Sequence, residues 1–410
     1  MSAGRLVIVG AGMAGGNAAR TLRDEGFDGP VTIIGDEPGV PFGRPPLSKT
    51  YLRGEEDLTG WLVKPAEWYP RNDVELVHGS VKRIDTDKRR VELDRLGTIE
   101  YSKLLLATGG RNRRPQFPGA SLEGVYQLRT VADCDAIKQA ARSDAHALVV
   151  GMGFIGSEVA ASLRQLGVAV TAVFPGKFPL ASVLGPEMGA AMAGIHSGAG
   201  VKLIADETVE RLEGSNRVER AVLKSGRSVD CDLVIVAVGI EPNTELARGM
   251  GVAVDNGIVV DVACRTNVPD VFAAGDVVNH PHPLFGRVRV EHYNNAEKQG
   301  TAAARSMLGS DAPYSYLYTF WSDQYEHKLE YAGHASRWDR FVIRGSFEER
   351  KLVGFYLDDG VLKAAVGLNR GGDPELDADG EMAMAARLVA RQAKPDPSAL
   401  ADDTIDLARL

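Results

Sequence analysis

Residues 6–15 read LVIVGAGMAG and residues 147–156 read ALVVGMGFIG, and these two stretches decide the fold. Each is an apolar run followed by G-x-G-x-x-G and a helix of small residues, the pattern of a dinucleotide-binding strand–turn–helix. Short apolar runs alternate with helical stretches elsewhere, which is typical of parallel α/β sheets. The repeat is a duplication of a whole nucleotide-binding unit and predicts two doubly wound Rossmann-like domains.

The first stretch has every part of a dinucleotide site. Gly10 allows the tight turn, Gly12 lets a pyrophosphate approach the backbone, and Gly15 lets the helix pack on its strand. The helix that follows presents free N–H groups and a positive dipole end to the phosphates. A second strand at 31–34 leads to Asp36, which lies 36 − 15 = 21 residues after the last glycine, near the spacing of a ribose-binding acid.

Two later motifs favour FAD over NAD in this first site. One strand ends at Thr108-Gly109 and another at Gly275-Asp276. A carboxylate held at such a strand end accepts hydrogen bonds from the ribityl hydroxyls of a flavin, and a helix that starts nearby aims its dipole at the ring. The alternative for Asp276 is an ordinary helix N-cap.

The second stretch predicts a nicotinamide site at Gly151, Gly153 and Gly156. Its second strand, 168–174, ends in Phe174-Pro175-Gly176-Lys177, so neither an acid for a ribose 2′-hydroxyl nor an arginine for a 2′-phosphate stands there. These residues leave NAD against NADP open. Glu158, two residues past the last glycine, is either an acid at a helix N-terminus or a side chain that faces the nicotinamide.

The last ninety or so residues predict a smaller α+β domain. Residues 340–343, 351–357 and 361–366 alternate like antiparallel strands, with a turn at 358–360, and residues 381–392 look helical. The closing segment from Lys394 is rich in Pro and Asp, so we expect it on the surface. The expected domains are 1–112 with 245–318 for FAD, 113–244 for NAD(P)H, and 319–410.

Composition narrows the function classes. The chain has 410 residues, 44% hydrophobic and 25% charged, with a net charge of −8, which argues against nucleic acid as main partner. No apolar run reaches the roughly 18 residues of a membrane span, and no signal peptide is evident, so we expect a cytoplasmic protein. Its three cysteines form no C-x-x-C pair, so we expect buried thiols, no metal site and no redox dithiol.

Further segments carry a resemblance to a known family. GRPPLSKTYL at 43–52, LLLATGGRNR at 104–113, VAVGIEPNTELA at 236–247, VEHYNNAEKQG at 290–300 and FWSDQY at 320–325 follow in the same order. Together with the glycine motifs, these segments resemble the FAD-dependent ferredoxin reductases of bacterial oxygenase and cytochrome P450 systems. The resemblance covers nearly the whole chain. The resemblance implies a glutathione-reductase-like pair of Rossmann domains with the small C-terminal domain.

The resemblance also implies roles for single residues. Lys49 would sit beside the flavin ring, Glu158 near the nicotinamide, and Trp321 near the flavin edge, and these three are the candidate catalytic residues. It further implies that cofactors contact a set of positions outside the glycine motifs, namely Arg44, Lys49, Val81, Arg129, Gly239 and Tyr293.

The implied reaction passes electrons from NADH through FAD, one at a time, to a 2Fe–2S ferredoxin that feeds a cytochrome P450 or Rieske oxygenase. NADPH is left open, and we expect a monomer or weak homodimer. The stretch VFPGKFPL at 173–180 looks more like apoptosis-inducing factor, which keeps an NADH-responsive interaction protein as an alternative, beside a quinone or small-acceptor reductase.

An acidic ferredoxin would need a basic docking face, despite the net negative charge. We expect it among six arginines, unless these are scattered and solvated: Arg287, Arg289, Arg305, Arg337, Arg340 and Arg344.

Overall fold

A computed structural model describes residues 4–410, which form two compact units. The first unit runs through Arg44 and then takes in Leu58–Arg111 and Glu241–Tyr318. The second comprises Pro45–Asp57, Asn112–Ile240 and Thr319–Leu410. The strands Gly110–Asn112 and Ile240–Pro242 carry the chain from one unit to the other. The short segment Pro45–Asp57, which contains Lys49, therefore belongs to the second unit.

A five-stranded parallel sheet forms the centre of the first unit. Its strand order is Val271–Ala273, Lys103–Leu106, Leu6–Val9, Val31–Gly35 and Val74–His78. Leu6 pairs with Val31 on one side and Lys103 on the other, so the carboxyl ends of all strands meet at one edge. Successive side chains along a strand point to opposite faces of the sheet. Both sets of side chains are apolar here, so the sheet is apolar on both faces, as is usual for parallel sheets.

Helices cover one face of this sheet and small antiparallel sheets cover the other. Leu6 and Ile8 pack with Ala18 and Leu22 of the helix Met13–Asp24, whereas Val7 and Val9 pack on the opposite face. The remaining elements of the unit are the helices Trp68–Arg71, Glu245–Gly249 and Tyr293–Met307, the 3-10 turn Thr59–Trp61, and the strands Val81–Asp85, Arg90–Leu93, Gly97–Glu100, Ile258–Val259, Val278–His282 and Gly286–Val288.

The second unit repeats the parallel architecture. Its sheet order is Lys202–Ile204, Ala169–Val173, His146–Val150, Leu233–Val236 and Val125–Tyr126. The helix that follows the glycine motif of this unit is Phe154–Gln165. The other elements of this part are the helices Thr50–Arg53, Val131–Ala140 and Ala181–Gly198, the 3-10 turn Pro45–Ser48, and the antiparallel strands Val209–Glu213, Arg220–Leu223 and Ser228–Asp230.

The C-terminal part of the second unit is a five-stranded antiparallel sheet with two short helices. The strand order is Thr319–Gln324, His327–Gly333, Val361–Leu368, Lys351–Asp358 and Arg340–Ser346, with helices at Glu381–Ala390 and Pro397–Ala401. Asp359 and Gly360 make the tight turn with φ of 51° and 74°, which is the left-handed geometry that two-residue hairpins prefer. The predicted strands, turn and helix are confirmed here.

The closing segment is less superficial than the sequence predicts. Leu400 and Leu407 are buried against the domain, although charged neighbours surround them in the sequence. Arg344 is buried as well: its guanidinium pairs with Glu381 at 2.7 Å and Asp403 at 3.4 Å, and it donates to the carbonyl of Ile405 at 2.6 Å. The expectation that Arg344 contributes to an exposed docking face is wrong, because it anchors the C-terminal segment.

The three cysteines are buried and free, as predicted. Burial raises the pKa of Cys134 to about 12, so this thiol stays protonated. None of the helices among residues 4–410 has both the length and the apolar composition needed to cross a membrane.

Candidate functional site

The glycine loop of residues 10–15, called the first cradle here, has the geometry that a dinucleotide requires. Gly10 has φ of +120°, and a Cβ on it would lie 2.0 Å from the carbonyl oxygen of Ala107. A Cβ on Gly15 would lie 1.9 Å from the oxygen of Gly10, whereas one on Gly12 would meet no atom within 4 Å. Turn and helix packing thus demand the outer glycines, and the open space over the middle one fits a pyrophosphate.

The second strand of the first unit ends in two acids rather than one. Asp36 is exposed directly after Val31–Gly35. Glu37 follows and accepts a 2.6 Å hydrogen bond from the guanidinium of Arg44, which also stacks over Phe42 at 5.3 Å. The structure therefore brings predicted Arg44 to the strand end that carries predicted Asp36.

Thr108-Gly109 is locked to a segment that is distant in sequence. The Thr108 hydroxyl donates to the carbonyl of Asn243 at 2.8 Å, and the Asn243 amide donates back to the carbonyl of Thr108 at 2.8 Å. Asn243 belongs to the VAVGIEPNTELA motif. These reciprocal bonds fix the backbone at the carboxyl end of the strand Lys103–Leu106.

Gly275-Asp276 lies beside the first cradle, and the N-cap alternative for Asp276 is wrong. Asp276 sits in a turn that leads to the strand Val278–His282, so no helix begins there. A Cβ on Gly275 would lie 3.0 Å from that of Ala14, in the first turn of the cradle helix. The Gly275 amide donates to Gln299 at 2.8 Å, which ties this turn to the helix Tyr293–Met307 as well.

Tyr293 begins that helix, and burial raises its pKa to about 12. Its ring meets Trp61 edge-to-face at 6.0 Å, and a Cβ on Gly43 would lie 2.6 Å from it. Trp61 is an aromatic neighbour that sequence reasoning missed. Val81, by contrast, packs at the start of its strand against the antiparallel side of the unit.

The glycine loop of residues 151–156, the second cradle, reproduces the first. Gly151 has φ of +95° and a Cβ there would lie 2.4 Å from the oxygen of Ala237; one on Gly156 would lie 2.0 Å from the oxygen of Gly151. A Cβ on Gly153 would meet nothing within 4 Å. The residues of the second unit therefore also fit a dinucleotide.

The ribose end of the second cradle is built differently. Phe174 is buried after the strand Ala169–Val173, and its carbonyl accepts from the amide of Glu207 at 3.1 Å. The amide of Asp206 donates to the carbonyl of Gly176 at 3.1 Å. Asp206 and Glu207 of the neighbouring loop therefore border the turn after Phe174, whose own sequence contains no acidic residue.

Arg129 and Gly239 also belong to this unit. Arg129 precedes the helix Val131–Ala140, where its amide donates to Asp133 at 3.0 Å within an N-terminal capping arrangement. Gly239 has φ of +89° and its carbonyl accepts from the amide of Arg113 at 3.0 Å.

Lys49 and Glu158 form a buried ion pair. Their Nζ and Oε2 atoms are 2.7 Å apart, and the side chains are 10% and 4% exposed. The Ser48 hydroxyl donates to the same carboxylate oxygen at 2.5 Å. The segment that carries Lys49 is held to the cradle helix because Ser162 donates to the carbonyl of Ser48 at 2.7 Å.

The FWSDQY strand completes the surroundings of this pair. Ser322 donates to the other oxygen of Glu158 at 2.7 Å. Burial raises the pKa of Asp323, while the ammonium groups of Lys49 and Lys328 and the indole N–H of Trp321 oppose this. Trp321 therefore touches Asp323 on the strand that reaches Glu158, which brings all three predicted catalytic residues to one region of the second unit.

Three further residues make hydrogen bonds at the site and were not singled out from the sequence: Ser48, Ser322 and Asn243. Each lies inside a motif that was: PPLSK, FWSDQY and EPNTE. The available signal was polarity, because a buried hydroxyl or amide needs a hydrogen-bond partner.

The fold and these two cradles define a pyridine nucleotide-dependent oxidoreductase. Residues 4–300 match the family described as pyridine nucleotide-disulphide oxidoreductase, and residues 319–410 match the reductase C-terminal family. The chain belongs to the pyridine nucleotide-disulphide oxidoreductase family.

Two named relatives indicate which kind of reductase the chain resembles. The chain is 40% identical over 346 residues to rhodocoxin reductase of Rhodococcus erythropolis, covering 84% of this chain and 81% of that protein. It is 39% identical over 413 residues to the anthranilate 1,2-dioxygenase system ferredoxin–NAD(+) reductase component of Burkholderia cepacia, covering 99% of both.

Solved structures agree. The ferredoxin reductase for the CYP199A2 system from Rhodopseudomonas palustris aligns with a TM-score of 0.93 and 34% identity over 99% of both chains. The reductase in the covalent putidaredoxin reductase–putidaredoxin complex aligns with a TM-score of 0.93 and 30% identity, over 100% of this chain and 98% of that one. These matches confirm the predicted fold class, the predicted oxidoreductase activity and the predicted cofactors, FAD and NADH.

Proposed function

We propose that this protein is an NADH-dependent flavoprotein reductase that delivers electrons to a 2Fe–2S ferredoxin of an oxygenase system. One relative named above is rhodocoxin reductase, and the other is the ferredoxin–NAD(+) reductase component of a dioxygenase system, which the chain matches from end to end. The first cradle would hold FAD, and the second cradle would hold the nicotinamide cofactor.

The contact between Lys49 and Glu158 is the observation that carries this proposal. The family resemblance gives Lys49 to the flavin and Glu158 to the nicotinamide, and these assignments rest on separate motifs. The two side chains are 2.7 Å apart. If both assignments hold, a flavin-side residue and a nicotinamide-side residue are in direct contact within the second unit.

FAD supplies the step from two-electron to one-electron transfer when it is bound. The chain's own residues supply positioning and charge. Lys49 would offer an ammonium to developing negative charge, and Glu158 holds that ammonium in place. Two serine hydroxyls then hold the carboxylate, one on each oxygen.

In the first unit, we propose that Asp36 or Glu37 binds the ribose and that Arg44 flanks it. Asp276 would accept from the ribityl chain, beside the cradle helix that meets Gly275. In the second unit, Arg129 and Gly239 remain candidates for cofactor contact. The cytoplasmic location expected from the sequence and the monomer or weak dimer also remain predictions, to be checked by fractionation and sedimentation.

The sensor alternative is less well supported. It rests on the 173–180 loop, whereas the relatives that cover the chain carry the names of reductases. It predicts slow flavin reduction and association that depends on NADH.

Anaerobic stopped-flow mixing tests the proposed function. The purified yellow protein is mixed with NADH or NADPH, with and without a 2Fe–2S ferredoxin, and the absorbance of flavin and cluster is followed. We expect fast flavin reduction by NADH, then rapid bleaching of the cluster. A reduced flavin that leaves the cluster oxidised would overturn ferredoxin as the acceptor.

A further inference from the structure

A chain of hydrogen bonds runs from Glu158 into the second unit, on the side away from Lys49. Ser322 donates to Glu158 at 2.7 Å, and the Gln324 amide donates to the Ser322 oxygen at 3.1 Å. His196 Nε2 is 2.9 Å from the Gln324 carbonyl oxygen, and His196 Nδ1 is 3.1 Å from the hydroxyl of Tyr325. We name Tyr325, His196, Gln324, Ser322 and Glu158 together the buried relay.

The buried relay has one direction, and the carboxylate sets it. An ionised Glu158 only accepts, so the Ser322 proton must point to it and the Ser322 oxygen must accept from the Gln324 amide. The Gln324 carbonyl oxygen then faces His196, which must carry its proton on Nε2. The bare Nδ1 is left to accept from Tyr325.

The members of the buried relay are shielded from water, so a member that loses its hydrogen bond cannot replace it with one to solvent. His196 is 0% exposed, Ser322 and Gln324 are each 1% exposed, and Glu158 is 4% exposed. A buried polar network of this kind is costly when one member loses its partner. Burial also lowers the pKa of His196 to about 4, which keeps the ring neutral near neutral pH.

The relay joins three elements that lie far apart in sequence. Glu158 is in the cradle helix Phe154–Gln165, His196 is in the helix Ala181–Gly198, and Ser322 is in the strand Thr319–Gln324. Gln324 reaches His196 across 128 residues of chain. The ring also stacks edge-to-face on Tyr325 at 5.5 Å, so its plane is fixed from two sides.

We propose that His196 is a positioning residue for Glu158: through Gln324 and Ser322 it fixes the carboxylate in the orientation that holds the Lys49 ammonium. His196 touches neither Lys49 nor Glu158, so it acts only by holding Gln324, whose amide in turn holds the Ser322 hydroxyl. This inference rests on the proposed function, because it gives the orientation of Glu158 its purpose.

Three variants break or keep the relay. Ser322→Ala removes the donor to Glu158, and His196→Leu removes the side chain that holds the Gln324 carbonyl oxygen. His196→Gln keeps one amide donor for Gln324 and one carbonyl acceptor for Tyr325. Ser306→Ala is the matched control: it removes another buried hydroxyl, one with no hydrogen-bond partner among residues 4–410.

Two measurements on the holoenzyme decide the matter. The first is the NMR shifts of the His196 ring nitrogens without NADH. We expect the Nε2–H tautomer, and we expect Ser322→Ala to move these shifts although the two side chains do not touch. An Nδ1–H tautomer, or shifts that ignore Ser322, would overturn the relay.

The second measurement is the rate of flavin reduction at saturating NADH, with the dissociation constant of NADH. Loss of one charge-assisted hydrogen bond should slow reduction about fivefold in Ser322→Ala and in His196→Leu, and no further in the double variant. His196→Gln and Ser306→Ala should keep the wild-type rate, and all should keep the NADH affinity. Multiplying effects, or an unchanged rate in both single variants, would overturn the positioning role.

Failure of the proposed function would look different. A wild-type protein that NADH fails to reduce rapidly contradicts the reductase assignment, while the tautomer and its response to Ser322→Ala still test the relay.

Discussion

The two cradles have nearly the same backbone and different ribose ends. In both, a Cβ on the first or third glycine would strike a carbonyl oxygen at 1.9–2.4 Å, and one on the middle glycine would meet empty space. The strand beside the first cradle leads to Asp36 and Glu37, whereas the strand beside the second leads to Phe174. Phosphate binding therefore needs one backbone solution, and the choice of nucleoside is left to the side chains around it.

The largest expected effect comes from placing alanine at the first glycine of each cradle. Gly10→Ala and Gly151→Ala both combine a left-handed φ with a backbone clash, and such strain costs on the order of 1–3 kcal/mol or more. We expect Gly10→Ala to be purified without flavin and Gly151→Ala to keep flavin but lose NADH binding. Flavin absorbance per protein and NADH titration measure this. Flavin loss in Gly151→Ala alone would reverse the assignment of the cradles.

Alanine at the middle glycine should separate binding from folding. Because a Cβ at Gly12 or Gly153 meets no protein atom, we expect wild-type melting of the apoprotein. Each dinucleotide should bind at least about tenfold more weakly where the methyl group intrudes on the pyrophosphate. Equal loss of FAD and NADH affinity in both variants would contradict separate sites.

Acid stability compares one histidine from each unit. Burial lowers the pKa of His196 in the second unit and of His280 in the first unit to about 4, from 6.5. As pH falls from 6.5 to 4 the unfolded chain gains the proton and the folded chain does not, so each histidine removes up to about 3 kcal/mol of stability. Replacing either by Gln should flatten the decline of the melting temperature in this window. A slope that matches the wild type in both variants would contradict burial as its cause.

The smallest effect is expected at Lys177, beside the second cradle. Lys177 is exposed and lies over the ring of Phe178 at 5.4 Å, so Lys177→Ala should leave folding and NADH affinity unchanged. If its charge attracts a 2′-phosphate, NADPH affinity alone should fall, by about threefold. Dissociation constants for both nucleotides, at low and high salt, measure the effect.

Local rules recovered the cradles from the sequence, because turn, pyrophosphate approach and helix packing each demand a glycine at a fixed spacing. The C-terminal strands followed from alternation and from the Asp359-Gly360 turn. Local rules could not pair Lys49 with Glu158, which are 109 residues apart. That contact depends on the segment Pro45–Asp57 joining the second unit.

Arg344 is a second case in which local sequence rules could not predict contacts with residues distant in the chain. An arginine in an alternating strand reads as a solvated charge, and the sequence offers no sign that Glu381 and Asp403 will surround it. The N-cap alternative for Asp276 was also wrong, because Asp276 lies in a turn that is followed by a strand and not by a helix. Side-chain burial set by distant partners is what a single sequence leaves undetermined.

The Glu158→Gln variant gives the most direct test that the Lys49–Glu158 pair serves flavin reduction. The amide keeps the shape of the side chain but removes the charge that holds the buried ammonium of Lys49. We predict full FAD content, nearly unchanged NADH affinity, and flavin reduction at least about tenfold slower in anaerobic stopped-flow. Wild-type reduction by NADH in a fully flavinated Glu158→Gln protein would contradict a role of the ion pair in flavin reduction.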